Sequence, residues 1–214
     1  MQSLSRNSTV SEHPVVVKRL GLVEYQPVWR AMRSFTAARR ADTPDEVWLL
    51  EHSPVYTVGV AGRAAHLPRG RDDIPVIRID RGGQITYHGP GQVVAYVLLD
   101  LKRKGLTVRP LVRRLEQAVI DLAADYGISA AGRVDAPGVY CGQAKIAALG
   151  LRITRGGCYH GLALNVDMDL SPFSAIDPCG YPGLAVTQLR DLGVCDDVAV
   201  VGDKLAQKLV SVIA

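Results

Sequence analysis

A glycine- and proline-rich block that runs directly into an apolar strand limits what this chain can fold into. Residues 81–92, RGGQITYHGPGQ, hold five Gly or Pro residues in twelve positions, and residues 93–101 are apolar and strongly β-prone. Glycines let a backbone turn sharply and approach a ligand closely, and their N–H groups can face an anion or a carbonyl oxygen. We expect residues 81–92 to form a ligand-binding segment outside the core, because an arginine and a histidine accompany the glycines.

Helical and strand patterns surround this block in an uneven order. We expect strands at 15–17, 47–50, 76–79 and 93–101, helices at 25–40 and 109–126, and three consecutive short strands at 139–141, 145–153 and 160–166. Asp203 is expected to cap a last helix, which carries an apolar stripe. The order favours an α+β fold, with a mixed or antiparallel sheet flanked by helices and covered mainly on one face.

The chain length favours one compact domain. Residues 1–14 are polar and are expected to form a flexible tail, so that residues 15–214 make up a single domain. No apolar run approaches the roughly 18 residues that span a bilayer, and the first residues lack the apolar stretch of about 7–15 that marks a secretory signal. We expect a cytoplasmic monomer with no membrane segment.

The charge pattern argues against nucleic acid as a partner. The net charge is +4, and the basic residues are scattered except for short clusters at 39–40, 102–104 and 113–114. Nucleic-acid binding would need a concentrated basic stripe. A mildly basic surface also suits an acidic protein partner, which long-range attraction would steer toward it.

The spacing of the four cysteines argues against metal and disulfide sites. Cys141, Cys158, Cys179 and Cys195 contain no CxxC pair, which disfavours zinc ribbons and thioredoxin-type motifs. A cytosolic compartment is reducing and disfavours disulfides. Cys158 and His160 are two ligand types close together, but a structural metal site needs about four ligands. We expect no metal.

Cys179 and Lys145 are the residues whose surroundings best suit chemistry. Cys179 lies in residues 176–183, IDPCGYPG, where two prolines and two glycines leave the backbone little freedom. A reactive thiol must ionise below its usual pKa, and a nearby cation is one means of achieving this, whereas Asp177 would oppose it. Lys145 is one of six lysines against nineteen arginines and lies among small and apolar residues. Lysine can stabilise a thiolate and later act as a base, but an ordinary surface lysine is the alternative.

Five blocks of the sequence together resemble the lipoyl(octanoyl) transferases, which move an octanoyl group from acyl carrier protein onto lipoyl domains. The blocks are EHSPVYTVG at 51–59, RGGQITYHGPGQ at 81–92, GVYCGQAKIAALGLRI at 138–153, YHGLALNVDMDLSPFSAIDPCG at 159–180 and VTQL at 186–189. Their order is that of the family, and the resemblance covers about residues 15–213. It implies the fold of the biotin/lipoate protein ligase catalytic domain.

The resemblance also implies the roles of particular residues. Cys179 would carry a transient acyl thioester, and Lys145 would lower the pKa of its thiol. The residues implied to line the acyl pocket are Arg81, Gly82, Gly83, Gln84, Ile85, Thr86, Tyr87, His88, Ala148, Leu149, Gly150, Gly161, Leu162 and Ala163. The implied partners are acyl carrier protein as donor and, as acceptors, the lipoyl domains of 2-oxoacid dehydrogenase complexes and the glycine cleavage H protein; no cofactor is implied. His88 is expected either to orient the reaction or to be structural, and His160 to be structural.

Three other functions remain open at this point. An ATP-dependent lipoate or biotin ligase would share the fold, but it needs no nucleophile, and the chain has no GRGRxG block typical of biotin ligases. A cysteine hydrolase would pair Cys179 with His88 or His160 and release free octanoate. A non-catalytic module that binds carrier proteins would not depend on Cys179 at all.

Overall fold

The computed structural model describes residues 14–177 and 183–214, which form two β-sheets and three α-helices. The strands are β1 (Val16–Val23), β2 (Glu46–His52), β3 (Val55–Val58), β4 (Val76–Arg78), β5 (Ile85–His88), β6 (Gln92–Asp100), β7 (Ala131–Gly132), β8 (Gly138–Cys141), β9 (Ala144–Thr154) and β10 (Gly157–Asn165). The helices are α1 (Tyr25–Ala37), α2 (Val108–Asp125) and α3 (Val198–Ile213). The expected tail, residues 1–14, lies outside the described residues except for Pro14.

The larger sheet is mixed, and the smaller one packs beside it. The larger sheet has seven strands in the order β1-β2-β6-β10-β9-β8-β7, and the smaller has three in the order β4-β3-β5. β1 is parallel to β2, whereas β2, β6, β10, β9 and β8 pair in antiparallel fashion. The predicted α+β class and the three consecutive antiparallel strands are confirmed.

Helices cover both faces of the larger sheet, so the expectation of cover mainly on one face is wrong. α2 and α3 pack on one face, where Leu111, Leu115 and Leu205 are fully buried against apolar residues of β2, β6 and β10. α1 packs on the other face through Val28 and Met32. The buried residues of α1 recur at helical spacing, which gives the helix one apolar stripe toward the sheet.

The last helix begins earlier than predicted. Its N-cap is Asp197, whose side chain accepts a hydrogen bond from the Val200 N–H at 2.9 Å. Asp203 lies inside the helix and pairs with Arg19 on the surface, so its predicted capping role is wrong. The cause is the valine-rich run 198–201, which resembles a strand locally but becomes helical because Val201 packs into the core.

Residues 81–92 contain a buried strand, so the expectation that this block stays out of the core is also wrong. Ile85 and Tyr87 are 2% and 4% exposed and pack in the core of the small sheet. The glycines still do what their chemistry predicts at both ends of the strand, since Gly83 and Gly91 adopt φ of 86°. The block is therefore a turn, a strand and a second turn.

Among the described residues, no helix is both long and apolar enough to cross a membrane.

Candidate active site

A narrow cleft of about 50 Å³ lies where the small sheet meets the middle of the larger one. The residues that line it are Tyr25, Arg81, Gly83, Gln84, Ile85, Thr86, His88, Val94, Tyr96, Ala148, Leu149, Gly150, His160, Gly161, Leu162 and Ala163. The structure therefore brings together the predicted pocket residues from three separate blocks of sequence. Side chains from both sheets face the cleft, which gives it mostly apolar walls.

Gly82 and Tyr87 are the two predicted pocket residues that do not line the cleft. The Gly82 N–H donates to the Leu151 carbonyl oxygen at 2.8 Å, which fastens the glycine turn to β9. Tyr87 lies on the other face of β5, with its ring 5.5 Å from that of Tyr56 and 5.6 Å from that of Phe173. Thr86 and His88 lie on the opposite face of β5, toward the cleft. Ile85 also reaches the cleft lining, although it packs in the same core cluster as Tyr87.

Glycines in β9 and β10 leave room for the cleft and for close strand packing. A Cβ at Gly150 would come within 3.0 Å of both Arg81 Cδ and the Gly82 carbonyl oxygen. A Cβ at Gly161 would come within 2.0 Å of the Ala95 carbonyl oxygen in the neighbouring strand. No side chain fits at Gly161 without moving the backbone.

Arg81 places a permanent positive charge in the wall of the cleft. It is 9% exposed, and its guanidinium donates to the Thr57 carbonyl oxygen at 2.7 Å and to Thr57 Oγ1 at 2.9 Å. It also donates to the Gly82 carbonyl oxygen at 2.9 Å. These hydrogen bonds hold the Arg81 guanidinium beside the glycine turn and fix the conformation of that turn.

His88 is neutral, and its hydrogen bonds assign its tautomer. Gln92 Nε2 donates to Asn165 Oδ1, so Gln92 Oε1 is the acceptor that faces His88 Nδ1 at 2.7 Å, and Nδ1 carries the proton. His88 Nε2 then accepts from the Thr57 hydroxyl, whose oxygen lies 3.4 Å away. Burial lowers the pKa of His88 to about 3, with a further contribution from His52. Both ring nitrogens are engaged, which favours the structural interpretation of this histidine.

His52 is a second neutral histidine, and it forms a hydrogen-bonded pair with Tyr96. Its Nδ1 donates to the Val23 carbonyl oxygen at 3.0 Å, so its Nε2 accepts from the Tyr96 hydroxyl at 2.7 Å. Burial lowers the pKa of His52 to about 4. The rings of Tyr25, His52 and His88 form a cluster, with Tyr25 4.9 Å from His52 and 6.1 Å from His88, and the two imidazoles 5.8 Å apart.

His160 and Asp80 close one end of the cleft. His160 Nε2 lies 3.2 Å from Asp80 Oδ1, and Trp29 and Tyr159 donate to the same carboxylate. Burial opposes ionisation of Asp80, but the hydrogen bonds from His160, Tyr159 and Trp29 hold its pKa below the usual range. Burial lowers the pKa of His160 despite the carboxylate. His160 therefore donates as a neutral ring and orients the cleft wall, in keeping with the predicted structural role.

Lys145 is buried next to the cleft, so the alternative of an ordinary surface lysine is wrong. The residue is 4% exposed and lines a small cavity whose wall includes Thr86 and Ala148, which also line the cleft. Lys145 Nζ donates to the Pro137 carbonyl oxygen at 3.2 Å and lies 5.1 Å from the centre of the Tyr140 ring. A buried lysine beside an apolar cleft is suited to exchanging a proton there.

Cys179 lies outside the described residues, and the chain on either side of it is anchored. On one side, Asp177 pairs with His66 Nδ1 at 3.1 Å. On the other side, the Lys145 N–H donates to the Ala185 carbonyl oxygen at 2.8 Å, and the Thr187 N–H donates to the Lys145 carbonyl oxygen at 3.0 Å. Residues 185–187 thus run alongside Lys145.

Cys158 is unsuited to nucleophilic chemistry. It is fully buried on the helix-covered face, and burial raises the pKa of its thiol to about 12. Burial also raises the pKa of Cys141. Within residues 14–177 and 183–214, no group of three or more His, Cys, Asp and Glu side chains is arranged to hold a metal ion.

Sequence reasoning missed two aromatic residues of the site. Tyr25 begins α1, where its buried position looks like ordinary helix packing, and Tyr96 lies within a continuous apolar strand. Burial raises the pKa of both phenols above the usual range. No local pattern separates these residues from core aromatics, because their role depends on His52 and His88, which other strands supply.

Comparison with known proteins gives a consistent result. The model of the lipoyl protein ligase A/B catalytic domain matches residues 24–210. An octanoyltransferase from Azoarcus sp. (strain BH72) is 63% identical, over 92% of this chain and 86% of that protein. An octanoyltransferase from Thiobacillus denitrificans is 66% identical, over 84% of this chain and 82% of that protein. A putative lipoate protein ligase from T. acidophilum with bound lipoic acid superposes with a TM-score of 0.75 at 16% identity, over 93% of this chain and 85% of that one. The predicted fold is confirmed.

Proposed function

Because the chain belongs to the lipoyl protein ligase A/B catalytic-domain family, we propose that its cleft binds the octanoyl group that the enzyme transfers to a lysine of a lipoyl domain. The chain is an acyltransferase that acts on octanoyl groups, as its relatives at 63% and 66% identity are. Acyl carrier protein is the donor, and the lipoyl domains of 2-oxoacid dehydrogenase complexes and the glycine cleavage H protein are the acceptors. Residues 15–214 act as a single catalytic domain.

The reaction proceeds in two steps through a thioester on Cys179. The Cys179 thiolate attacks the carbonyl carbon of the donor thioester, a new C–S bond forms, and the bond to the carrier sulfur breaks. In the second step the acceptor amine attacks the enzyme thioester, a C–N bond forms, and the bond to Cys179 breaks. Covalent catalysis of this kind divides one difficult transfer into two easier ones. An amide is more stable than a thioester, so the two steps together need no ATP.

Lys145 moves the proton in both steps. As an ammonium it stabilises the Cys179 thiolate, and it gives a proton to the departing carrier thiolate. As a neutral amine it takes the proton from the acceptor lysine, which restores the starting state. The observation that carries this assignment is the burial of Lys145 against the cleft wall, with residues 185–187 paired to its backbone. Only six chain positions separate Cys179 from Ala185.

Mass spectrometry of the intact enzyme tests the thioester. After incubation with octanoyl acyl carrier protein, the wild-type chain should gain one octanoyl group, and Cys179→Ala should gain none. Cys195→Ala removes an exposed thiol elsewhere and should gain the group like the wild type. An adduct that persists in Cys179→Ala would overturn the proposed intermediate.

The role of Lys145 is tested by following each half-reaction separately. Lys145→Ala should slow both the acylation of Cys179 and the transfer to a lipoyl domain by roughly 100-fold or more, the usual size of a general acid–base contribution. Wild-type rates in both half-reactions would end the proposal for Lys145.

The ATP-dependent alternative makes the opposite prediction about cofactors. A ligase would use free octanoate with ATP and would survive Cys179→Ala, whereas the transferase uses octanoyl acyl carrier protein without ATP. The likeness to the T. acidophilum protein is at 16% identity and speaks for the fold alone. The close relatives favour transfer from a thioester.

A further inference from the structure

A large groove of about 940 Å³ lies between α1 and the hairpin formed by β9 and β10. Its lining residues are Arg30, Arg33, Ser34, Thr36, Ala37, Arg39, Arg40, Ala41, Asp80, Asp100, Arg152, Thr154, Arg155, Gly157 and Tyr159. The function described above uses none of its arginines.

The groove concentrates positive charge. Its lining holds six arginines against two aspartates, a surplus of four that equals the formal net charge of the whole chain. The rest of the chain therefore has a formal net charge of zero. A local surplus of this kind attracts anionic partners and raises their rate of encounter.

Most of these guanidinium groups are not consumed by the fold. Arg39 is buried and paired with Asp45, and Arg33 lies 4.0 Å from Asp80. Within the part of the chain that the structure describes, the other four, Arg30, Arg40, Arg152 and Arg155, are exposed and form no salt bridge. They remain available to an external anion.

The groove lies next to the acyl cleft. Gly150 lines the cleft and Arg152 the groove, and the two residues share one face of β9 about 7 Å apart along the strand. The contact between His160 and Asp80 forms the common wall, since His160 faces the cleft and Asp80 faces the groove. A carrier docked on the arginines would therefore lie beside the cleft that takes its acyl group.

We propose that this arginine groove docks the acyl donor, by binding the phosphodiester of its prosthetic arm and the acidic surface of the protein that carries it. The proposal rests on the proposed function, which makes the donor a thioester on such an arm. Arginine favours phosphate because its planar fork can donate two parallel hydrogen bonds, and every basic residue of the lining is an arginine. The acceptor lysine carries no phosphodiester, so this chemistry assigns the groove to the donor.

The test removes two groove charges and compares donors. The variant Arg152→Gln/Arg155→Asn should lower kcat/KM for acylation by octanoyl acyl carrier protein about 5- to 30-fold and should weaken its dependence on salt. Asparagine suits position 155 because the backbone there has φ of 47°, so this change should not harm the fold. The matched control is Arg109→Gln/Arg113→Gln, which removes the same charge from exposed positions of α2 on the far side of the sheet and should behave like the wild type.

A donor without the arm separates docking from chemistry. Octanoyl-N-acetylcysteamine has the thioester but neither phosphodiester nor protein, and it should acylate the groove variant and the wild type at equal rates. Equal loss with both donors would overturn the proposal, and so would an unchanged rate with the protein donor. A slower transfer to lipoyl domains with unchanged acylation would assign the groove to the acceptor instead. If the wild type formed no adduct with either donor, the proposed function itself would fail.

Discussion

At the scale of single residues, Gly161 shows how tightly the cleft and the sheet share space. Its missing Cβ would lie 2.0 Å from the Ala95 carbonyl oxygen, an atom of the adjacent strand that cannot move alone. Gly161→Ala should therefore lower the free energy of unfolding by about 1–3 kcal/mol or more. Urea denaturation at neutral pH measures the change.

The same substitution at another glycine provides the control. A Cβ at Gly202 in α3 would meet Val93 Cγ2 at 3.7 Å, which is ordinary contact. Gly202→Ala should leave stability unchanged or raise it by about 0.5–1 kcal/mol, since alanine favours a helix. Equal effects of the two substitutions would contradict the steric argument.

At the scale of elements, a chain of hydrogen bonds links the cleft to the segment that runs beside Lys145. Gln92 of β6 connects His88 of β5 to Asn165 of β10, and Asn165 Nδ2 donates to the Thr187 carbonyl oxygen at 3.0 Å. Thr187 in turn donates its N–H to the Lys145 carbonyl oxygen. Four separate stretches of chain are thus held in one register around the site.

Breaking this chain of hydrogen bonds at Asn165 should slow acylation without changing any reacting group. Asn165→Ala leaves the Thr187 carbonyl oxygen without its donor, so residues 185–187 should shift and acylation should slow roughly tenfold or more. Stability should fall by about 1–3 kcal/mol. Asn165→Asp keeps the acceptor for Gln92 but puts an oxygen against the Thr187 carbonyl, and it should slow acylation as well.

The measurement is single-turnover acylation with octanoyl acyl carrier protein. Gln117→Ala, which removes a side-chain hydrogen bond on the exposed face of α2, is the matched control and should acylate at the wild-type rate. A wild-type rate in both Asn165 variants would show that these hydrogen bonds do not position Lys145.

Secondary structure was predictable from sequence where the residue pattern and the tertiary packing agree. α2 and β6 fall within about one residue of the predicted bounds, because an apolar stripe behind Pro110 and a β-branched run have no competing explanation. The start of α3 and the strand β5 were not predictable. Valines there take a helical conformation, and a glycine-rich block contains core residues, since distant elements cover them.

Prediction of the site depended on resemblance more than on pattern. The blocks around residues 81–92, 148–150 and 161–163 meet in one cleft as the resemblance implied. The burial of Lys145 could not be read locally, because β8 and residues 185–187 supply the cover. The basic groove was equally hidden, since its arginines come from three places in the chain and look scattered in the sequence.

At the scale of the whole molecule, the buried neutral histidines make stability depend on pH. Burial holds the pKa of His52 near about 4 and that of His88 near about 3, against an ordinary value of about 6.5. Below about pH 6.5 the unfolded chain binds protons that the folded chain refuses. The free energy of unfolding should therefore fall as pH drops from about 6.5 toward 4, by about 1.4 kcal/mol per pH unit for each histidine.

Urea denaturation at a series of pH values between about 7 and 4 measures this slope. His52→Gln and His88→Gln should each lower stability at neutral pH, because the replaced rings are packed and hydrogen-bonded. Each should also reduce the dependence of the free energy of unfolding on pH by about 1.4 kcal/mol per pH unit. A double variant with the wild-type slope would show that other groups cause the acid sensitivity.

The cleft lies between two sheets, and this position has a consequence for the loaded enzyme. Val94, Ala148 and Ala163 of the larger sheet present apolar surface to a gap that the protein itself leaves unfilled. A fatty chain lodged there would act as interior packing material, with about 0.8 kcal/mol gained for each methylene withdrawn from water. The acylated intermediate proposed above should accordingly melt at a higher temperature than the free enzyme, because the bound acyl chain adds apolar packing to the interior.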